Sequence, residues 1–279
     1  VGLQQNIETG KLQLNGYLNL QLSNGLNRGE FLNLNWKSNP DKTQNLKFNF
    51  EYPYIFNSPI GIESNVNLQK QDTSFLTADL DFGLNYIQPY FKIGLYNQFI
   101  NSTVLDKTVA FDVAEFSKNI IGLNLVLKPQ FYSNLSFYKP KLTVKGGFYS
   151  YESDSIETKR SSSNYTYAIN MEQKFKFLTY FSFNNQTGFN GLNASYNLAR
   201  NELVYFGGLK SVRGFYELEL TGNEVFTVLN EIEFQPISVL SFKLIYDYSQ
   251  FKFNGNNHTN SLGIGFGLIL AMFFTPLAY

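Results

Sequence analysis

The chain has no cysteine, a single tryptophan and a single histidine, and neither sign of charge is in excess. Without cysteine there can be no disulfide scaffold and no thiolate metal site. Lys+Arg and Asp+Glu both number 22, so the basic surplus that nucleic-acid binding needs is missing. Charged residues make up 16% of the chain, against roughly 25% in a soluble domain. That is too little to coat a surface facing water. Long apolar runs are absent too: none reaches the ~18 residues of a membrane helix. The longest candidate, Leu262–Phe274, is interrupted by glycines and followed by Thr275 and Pro276.

What the chain does have is aromatic residues and a period of two. Phe and Tyr number 28 and 19, yet the mean hydropathy is only −0.20, because uncharged polar residues dilute the apolar ones. Leu12, Leu14, Leu18, Leu20 and Leu22 alternate with Gln13, Asn15, Tyr17, Asn19 and Gln21. This is the pattern of a strand with one apolar and one polar face. The alternation returns at Leu32–Trp36, Leu46–Phe50, Leu76–Tyr86, Phe91–Tyr96, Ile121–Leu127, Leu142–Phe148, Tyr165–Glu172, Phe226–Phe234, Leu240–Tyr248 and Ser261–Leu270. Turn clusters separate the runs, among them Ser38-Asn39-Pro40-Asp41, Gln88-Pro89 and Asn254–Asn257. Only Ala110–Lys118 reads as a short helix.

Alternating strands fit a soluble sandwich, with apolar faces inside, or a membrane barrel, with apolar faces to lipid. Three features favour the barrel. The polar faces are rich in Asn, Gln, Ser and Thr, which suits a hydrated lumen. Aromatics gather near strand ends, as at Tyr52, Tyr54 and Phe56 or Tyr149 and Tyr151, in the manner of interfacial girdles. Runs of about 9 to 12 residues match tilted membrane strands better than soluble ones. The expected fold is therefore all-β: a transmembrane antiparallel β-barrel of about fourteen to sixteen strands. It forms one domain over 1–279, in a bacterial outer membrane, with the lipid bilayer as its first partner. Leu14, Leu18, Leu34, Phe48, Leu80, Phe82, Leu123 and Phe234 are expected to face lipid. No secretory signal opens the chain at Val1, so the sequence reads as a mature or trimmed piece.

One stretch carries a sharp motif. Residues 207–215 read Gly-Gly-Leu-Lys-Ser-Val-Arg-Gly-Phe. An Arg in a low-dielectric lumen is costly unless paired, and its planar fork suits a carboxylate. The following strands offer partners: by parity, Glu231, Glu233 and Asp247 share the polar face. The stretch resembles the loop motif of the BamA/TamA superfamily of outer-membrane assembly and translocation barrels, which includes two-partner secretion transporters. The resemblance implies that the loop from about Gly207 to Asn223 folds into the barrel. Arg213, Gly214 and Phe215 would form its tip and Asp247, Glu231 or Glu233 would receive Arg213, as a structural lock. Asp247 matches a Phe-x-Asp-x-Gly pattern, with Ile245 for Phe and Ser249 for Gly. Asn24–Glu30 resembles the family's first hairpin turn, Glu51–Phe56 a third-to-fourth strand segment and Ser261–Gly267 a late strand. Periplasmic docking domains, usual in the family, are absent, and one more strand is usual after Met272–Tyr279.

Other chemistry finds no support. His258 lies in a turn-like loop without partners for a triad or metal site. Asp79 and Asp81 read as wall residues, and Gly263, Gly265 and Gly267 as strand curvature. No cofactor, metal or catalytic residue is expected, and the protein is not read as an enzyme. The resemblance implies insertion or translocation of client outer-membrane or secreted proteins, with accessory periplasmic or lipoprotein subunits as further partners. It also implies a lateral seam that offers a strand edge to the client. Its gate strand would be the first, Lys11–Leu22, carrying Leu12, Leu14, Gly16, Leu18 and Leu20. The rival reading is a passive channel or structural barrel.

Overall fold

A computed structural model describes residues 2–5, 12–38, 43–71, 74–106, 113–129, 131–132, 136–153, 164–177, 180–208, 211–216, 218–237, 240–253 and 259–270. Apart from two 3-10 turns, Ile55–Asn57 and Arg200–Glu202, the regular structure is all strand. The first eight strands are β1 Gly2–Gln5, β2 Leu12–Ser23, β3 Phe31–Ser38, β4 Gln44–Tyr52, β5 Ile60–Gln71, β6 Phe75–Ile87, β7 Phe91–Val104 and β8 Phe116–Leu127. Next come β9 Phe131–Tyr132, β10 Ser136–Ser153, β11 Tyr165–Phe177, β12 Phe181–Asn193, β13 Val204–Phe206 and β14 Leu220–Gly222. The last three are β15 Glu224–Ile237, β16 Leu240–Lys252 and β17 Thr259–Leu270. The helix expected over 110–118 is a strand from Phe116 onward, and its first residues lie outside the described ones. His258 and Met272–Tyr279 also lie outside them.

Two compact units divide the chain. The first comprises residues 1–125, 145–166 and 193–202, and the second 126–144, 167–192 and 203–279.

In the first unit β1 to β7 pair antiparallel, each with its neighbour in the chain. The register brings like faces together, as period two requires. Phe48 lies opposite Leu34 and Val66, and Leu80 opposite Val66 and Phe99. Leu18, Leu80, Phe82 and Leu123 are exposed, while Asp81, Asn85, Ser102 and Asn124 are buried. Apolar residues outside and polar residues inside invert the soluble sandwich. On the polar face Asn49 donates to Asn65 at 2.7 Å, and on the outer face Asn97 donates to Asn119 at 2.8 Å.

The tight turn between β6 and β7 closes where Gln88 N–H donates to Phe91 O at 2.8 Å, around Pro89. Between β2 and β3, Asn24 and Asn27 take positive φ, and the Glu30 carboxylate accepts the Leu26 and Arg28 N–H groups. The strand expected to be first, and to serve as a gate, is preceded by β1, which pairs with Leu12–Asn15. Tyr54 and Phe56 are exposed, as girdle residues would be, but Tyr149 and Tyr151 are buried.

In the second unit β12 pairs with β15, β15 with β16 and β16 with β17. The chain between β12 and β15 is the long loop, and β13 and β14 pair within it. Phe234, also expected to face lipid, is exposed, opposite Phe181 and Phe242.

Candidate functional site

The second unit builds its site on the polar face of β15 and β16. Alternation puts Val225, Thr227, Leu229, Glu231 and Glu233 on one side of β15. The register sets Leu229 opposite Asp247, Glu231 opposite Ile245, and Glu233 opposite Lys243. Most of this face is polar. Val225, Leu229 and Phe251 break the rule where the long loop lies: Phe206, Val212 and Val225 form a buried cluster, with Val204, Phe215, Leu220, Leu229 and Phe251 packed around it. Phe206 meets Phe251 edge-on at 5.2 Å between ring centres. Apolar side chains thus hold the loop against the wall.

That packing positions Arg213. Its backbone N–H, Nε and Nη2 all donate to the Asp247 carboxylate, at 2.9, 2.7 and 2.7 Å. Nη1 donates to Glu231 Oε2 at 2.9 Å and Nη2 to the Asn230 carbonyl at 3.2 Å. Asp247 is fully buried, whereas the Arg213 side chain keeps 20% of its surface exposed. The Asp247 hydrogen bonds raise the guanidinium pKa above its ordinary value, against the opposing effect of burial. Lys243 donates to the other Glu231 oxygen at 2.8 Å and reaches Glu233 at only 3.9 Å. Of the three candidate acids, Arg213 takes Asp247 and Glu231; Glu233 instead accepts from Ser182 at 3.3 Å.

Gly214 and Phe215 have separate places in the tip. Gly214 adopts φ +98°, and Phe215 packs on the apolar cluster. The glycines of β17 do something the sequence reading did not assign. A Cβ on Gly263 would lie 2.0 Å from the Arg213 carbonyl oxygen. Gly263 leaves room for the loop backbone and is not simply a site of curvature. Of the residues expected on a gate strand, Gly16, Leu18 and Leu20 lie in the part of β2 that pairs with β3, and Leu12 and Leu14 in the part that pairs with β1. They lie in the first unit, whereas the Arg213 cluster belongs to the second.

A second cluster, which the sequence did not single out, lies in the first unit at the root of the same loop. Lys118 and Glu202 form an ion pair at 2.6 Å, with side-chain exposures of 3% and 0%. Glu202 also accepts from Tyr196 Oη at 2.9 Å, Ala199 N–H at 3.0 Å and Tyr151 Oη at 3.5 Å. Lys118 Nζ stands 4.9, 5.2 and 5.6 Å from the ring centres of Phe116, Tyr149 and Tyr151. Beside it, Asn201 donates to Ser102 Oγ and to the Ala114 carbonyl, each at 2.7 Å. Burial pushes the Tyr196 hydroxyl pKa up, with Glu202 adding to it. The available signal was Lys118 itself, a cation on the inward parity of β8.

The acids Asp79 and Asp81 are held as wall residues. Gln98 donates to both Asp79 oxygens, at 2.8 and 2.9 Å, and Lys145 pairs with Asp81. No group of acids or histidines suited to a metal occurs among the described residues.

The sequence profile of a family described as haemolysin secretion/activation protein ShlB/FhaC/HecB matches residues 98–270, from β7 through β17. Among solved structures, CdiB from Escherichia coli matches with a TM-score of 0.58 and 14% identity, over 91% of this chain and 52% of that one. CdiB from Acinetobacter baumannii matches with a TM-score of 0.48 and 17% identity, over 95% of this chain and 56% of that one. The chain thus spans about half the length of the solved structures it matches. No curated protein matches. At this identity the structural likeness speaks for the fold alone.

Proposed function

We propose, from a chain that belongs to the haemolysin secretion/activation protein family ShlB/FhaC/HecB, that it passes secreted polypeptides across the outer membrane through a lumen gated by the Arg213 loop. The family comprises outer-membrane β-barrel transporters of Gram-negative bacteria, not enzymes, and the chain is an all-β antiparallel protein of that membrane. The sequence resemblance to the BamA/TamA superfamily holds at the level of the superfamily. Its secretion branch, and not BamA/TamA proper, is the one the family match supports.

The observation that carries the reading is the Arg213 contact set: three hydrogen bonds to a fully buried Asp247 and one to Glu231. A passive pore has no need for a loop whose tip arginine is bound to the wall. A gate does, because such a contact is a defined closed state that can be exchanged. Lateral insertion of a client strand is the second reading. Its support is β2: among the described residues, Gly16–Ser23 is hydrogen-bonded on one side only, to β3. An unpaired edge can template an added strand.

The test is export. Deleting the gene in its host should remove one or more proteins from the culture medium, and Arg213→Ala should reduce their export while the barrel still folds. Unchanged secreted proteins, combined with loss of other barrels from the outer membrane, would overturn translocation in favour of insertion. A deletion that altered only the uptake of small solutes would favour the passive channel.

A further inference from the structure

The long loop has two anchors of different character. At the tip, Arg213 and Glu231 keep 20% and 19% of their side-chain surface exposed, so water can compete for the contact. At the root, Lys118 and Glu202 are dry, at 3% and 0%. A buried ion pair seldom stabilises a fold more than apolar residues of the same volume would, and its best-attested use is to specify one arrangement. Here the specification is tight. Glu202 accepts from Lys118, Tyr196, Ala199 and Tyr151, and three aromatic rings surround the ammonium. Asn201 adds ties to β7 through Ser102 and to the segment before β8 through Ala114. Displacing the root would leave a buried charge without a partner on either side.

Gly207 and Gly208 take φ +105° and +98°, a region that side-chain-bearing residues rarely adopt. A Cβ on Gly207 would lie 2.9 Å from the Tyr216 carbonyl oxygen. The loop therefore has a dry root, a pair of glycines and a tip whose Arg213–Glu231 contact is partly exposed while Asp247 is buried.

We propose that Lys118 and Glu202 are a positioning pair that keeps the root of the loop in place while the Arg213 tip exchanges. The relevance of this to export rests on the translocation reading above. The positioning itself does not, and it can be measured without a client.

The chain has no cysteine, so single probes can be placed at Leu198, near the root, and at Val212, in the tip, both buried. Maleimide labelling rates are measured on each probe in outer-membrane vesicles, with heat-dependent gel mobility reporting that the barrel is folded. Glu202→Gln should raise labelling at the root by at least roughly tenfold and leave the tip within about twofold, since local openings have separate free energies. Arg213→Ala should do the reverse. Lys118→Met combined with Glu202→Met should fold but keep the root fast, because packing is restored and specification is not. Lys118→Arg, which keeps the charge, should restore slow labelling more fully than Lys118→Met alone. If Glu202→Gln does not fold, Tyr196→Phe, which removes one hydrogen bond to Glu202, should still raise root labelling about two- to threefold. Root labelling that stays slow in every folded variant overturns the proposal. So does root and tip labelling that rises together in all of them, since the loop would then move as one piece. Failure of the wild-type protein to export any client would sink the translocation reading and leave these rates untouched.

Discussion

Replacing Arg213 by alanine removes the side chain but keeps the backbone N–H. Of the three donors Arg213 offers Asp247, only the backbone one, at 2.9 Å, survives, and the Nε and Nη2 bonds at 2.7 Å are lost. Asp247 is fully buried and would lose the cation that compensates it. Breaking a buried pair from one side costs about 3–5 kcal/mol. The Arg213 side chain is 20% exposed, so some water already reaches the pair, and Glu231 keeps Lys243 at 2.8 Å. The lower end applies, about 3 kcal/mol. Arg213→Lys keeps the charge but not the fork, and should lose about 1–2 kcal/mol. The assay is reversible denaturant unfolding in lipid vesicles, run as a double-mutant cycle with Asp247→Ala, which isolates the pairwise contribution. A coupling below about 0.5 kcal/mol would refute the reasoning, because the pair would then behave as a solvated surface contact.

Three further outcomes follow from the same geometry. Gly263→Ala should displace the loop, since its Cβ would lie 2.0 Å from the Arg213 carbonyl oxygen, whereas Gly265→Ala, whose nearest neighbour is 3.8 Å away, should be mild; labelling of a cysteine at Val212 separates the two. An arginine in place of exposed Phe82 or Leu123 should cost about 2–4 kcal/mol if it sits near the bilayer midplane, and vesicle unfolding measures it. The Glu30 carboxyl is held below its ordinary value, chiefly by the Leu26 N–H, with burial opposing. Its contribution is therefore present above the ordinary carboxylate range and lost as the pH falls through the lowered value; Glu30→Gln should remove that acid-side loss, read by amide exchange at Leu26.

Period two, the shortage of charge and the outward leucines and phenylalanines are local properties. They determined that this chain makes antiparallel strands with one face for lipid and one for water, because side-chain direction in a strand depends on parity alone. Parity also put Glu231, Glu233 and Asp247 on one face, and the glycine-flanked Arg213 marked the loop that meets it. The choice between the two glutamates was not local. The register of β15 on β16 sets Leu229 opposite Asp247, which leaves Glu231 one inward position from that row and Glu233 two, and register depends on how the strands pair. Likewise the glycines of β17 read as curvature until the fold brought the Arg213 carbonyl against Gly263, and Tyr149 and Tyr151 read as girdle residues until it turned them inward around Lys118. Lys118 and Glu202 lie far apart in the chain, on a strand and in a loop, and no periodicity links them. Only the tertiary structure could bring them together, because the free energy that selects their contact, satisfying two buried charges at once, exists only when both are out of water.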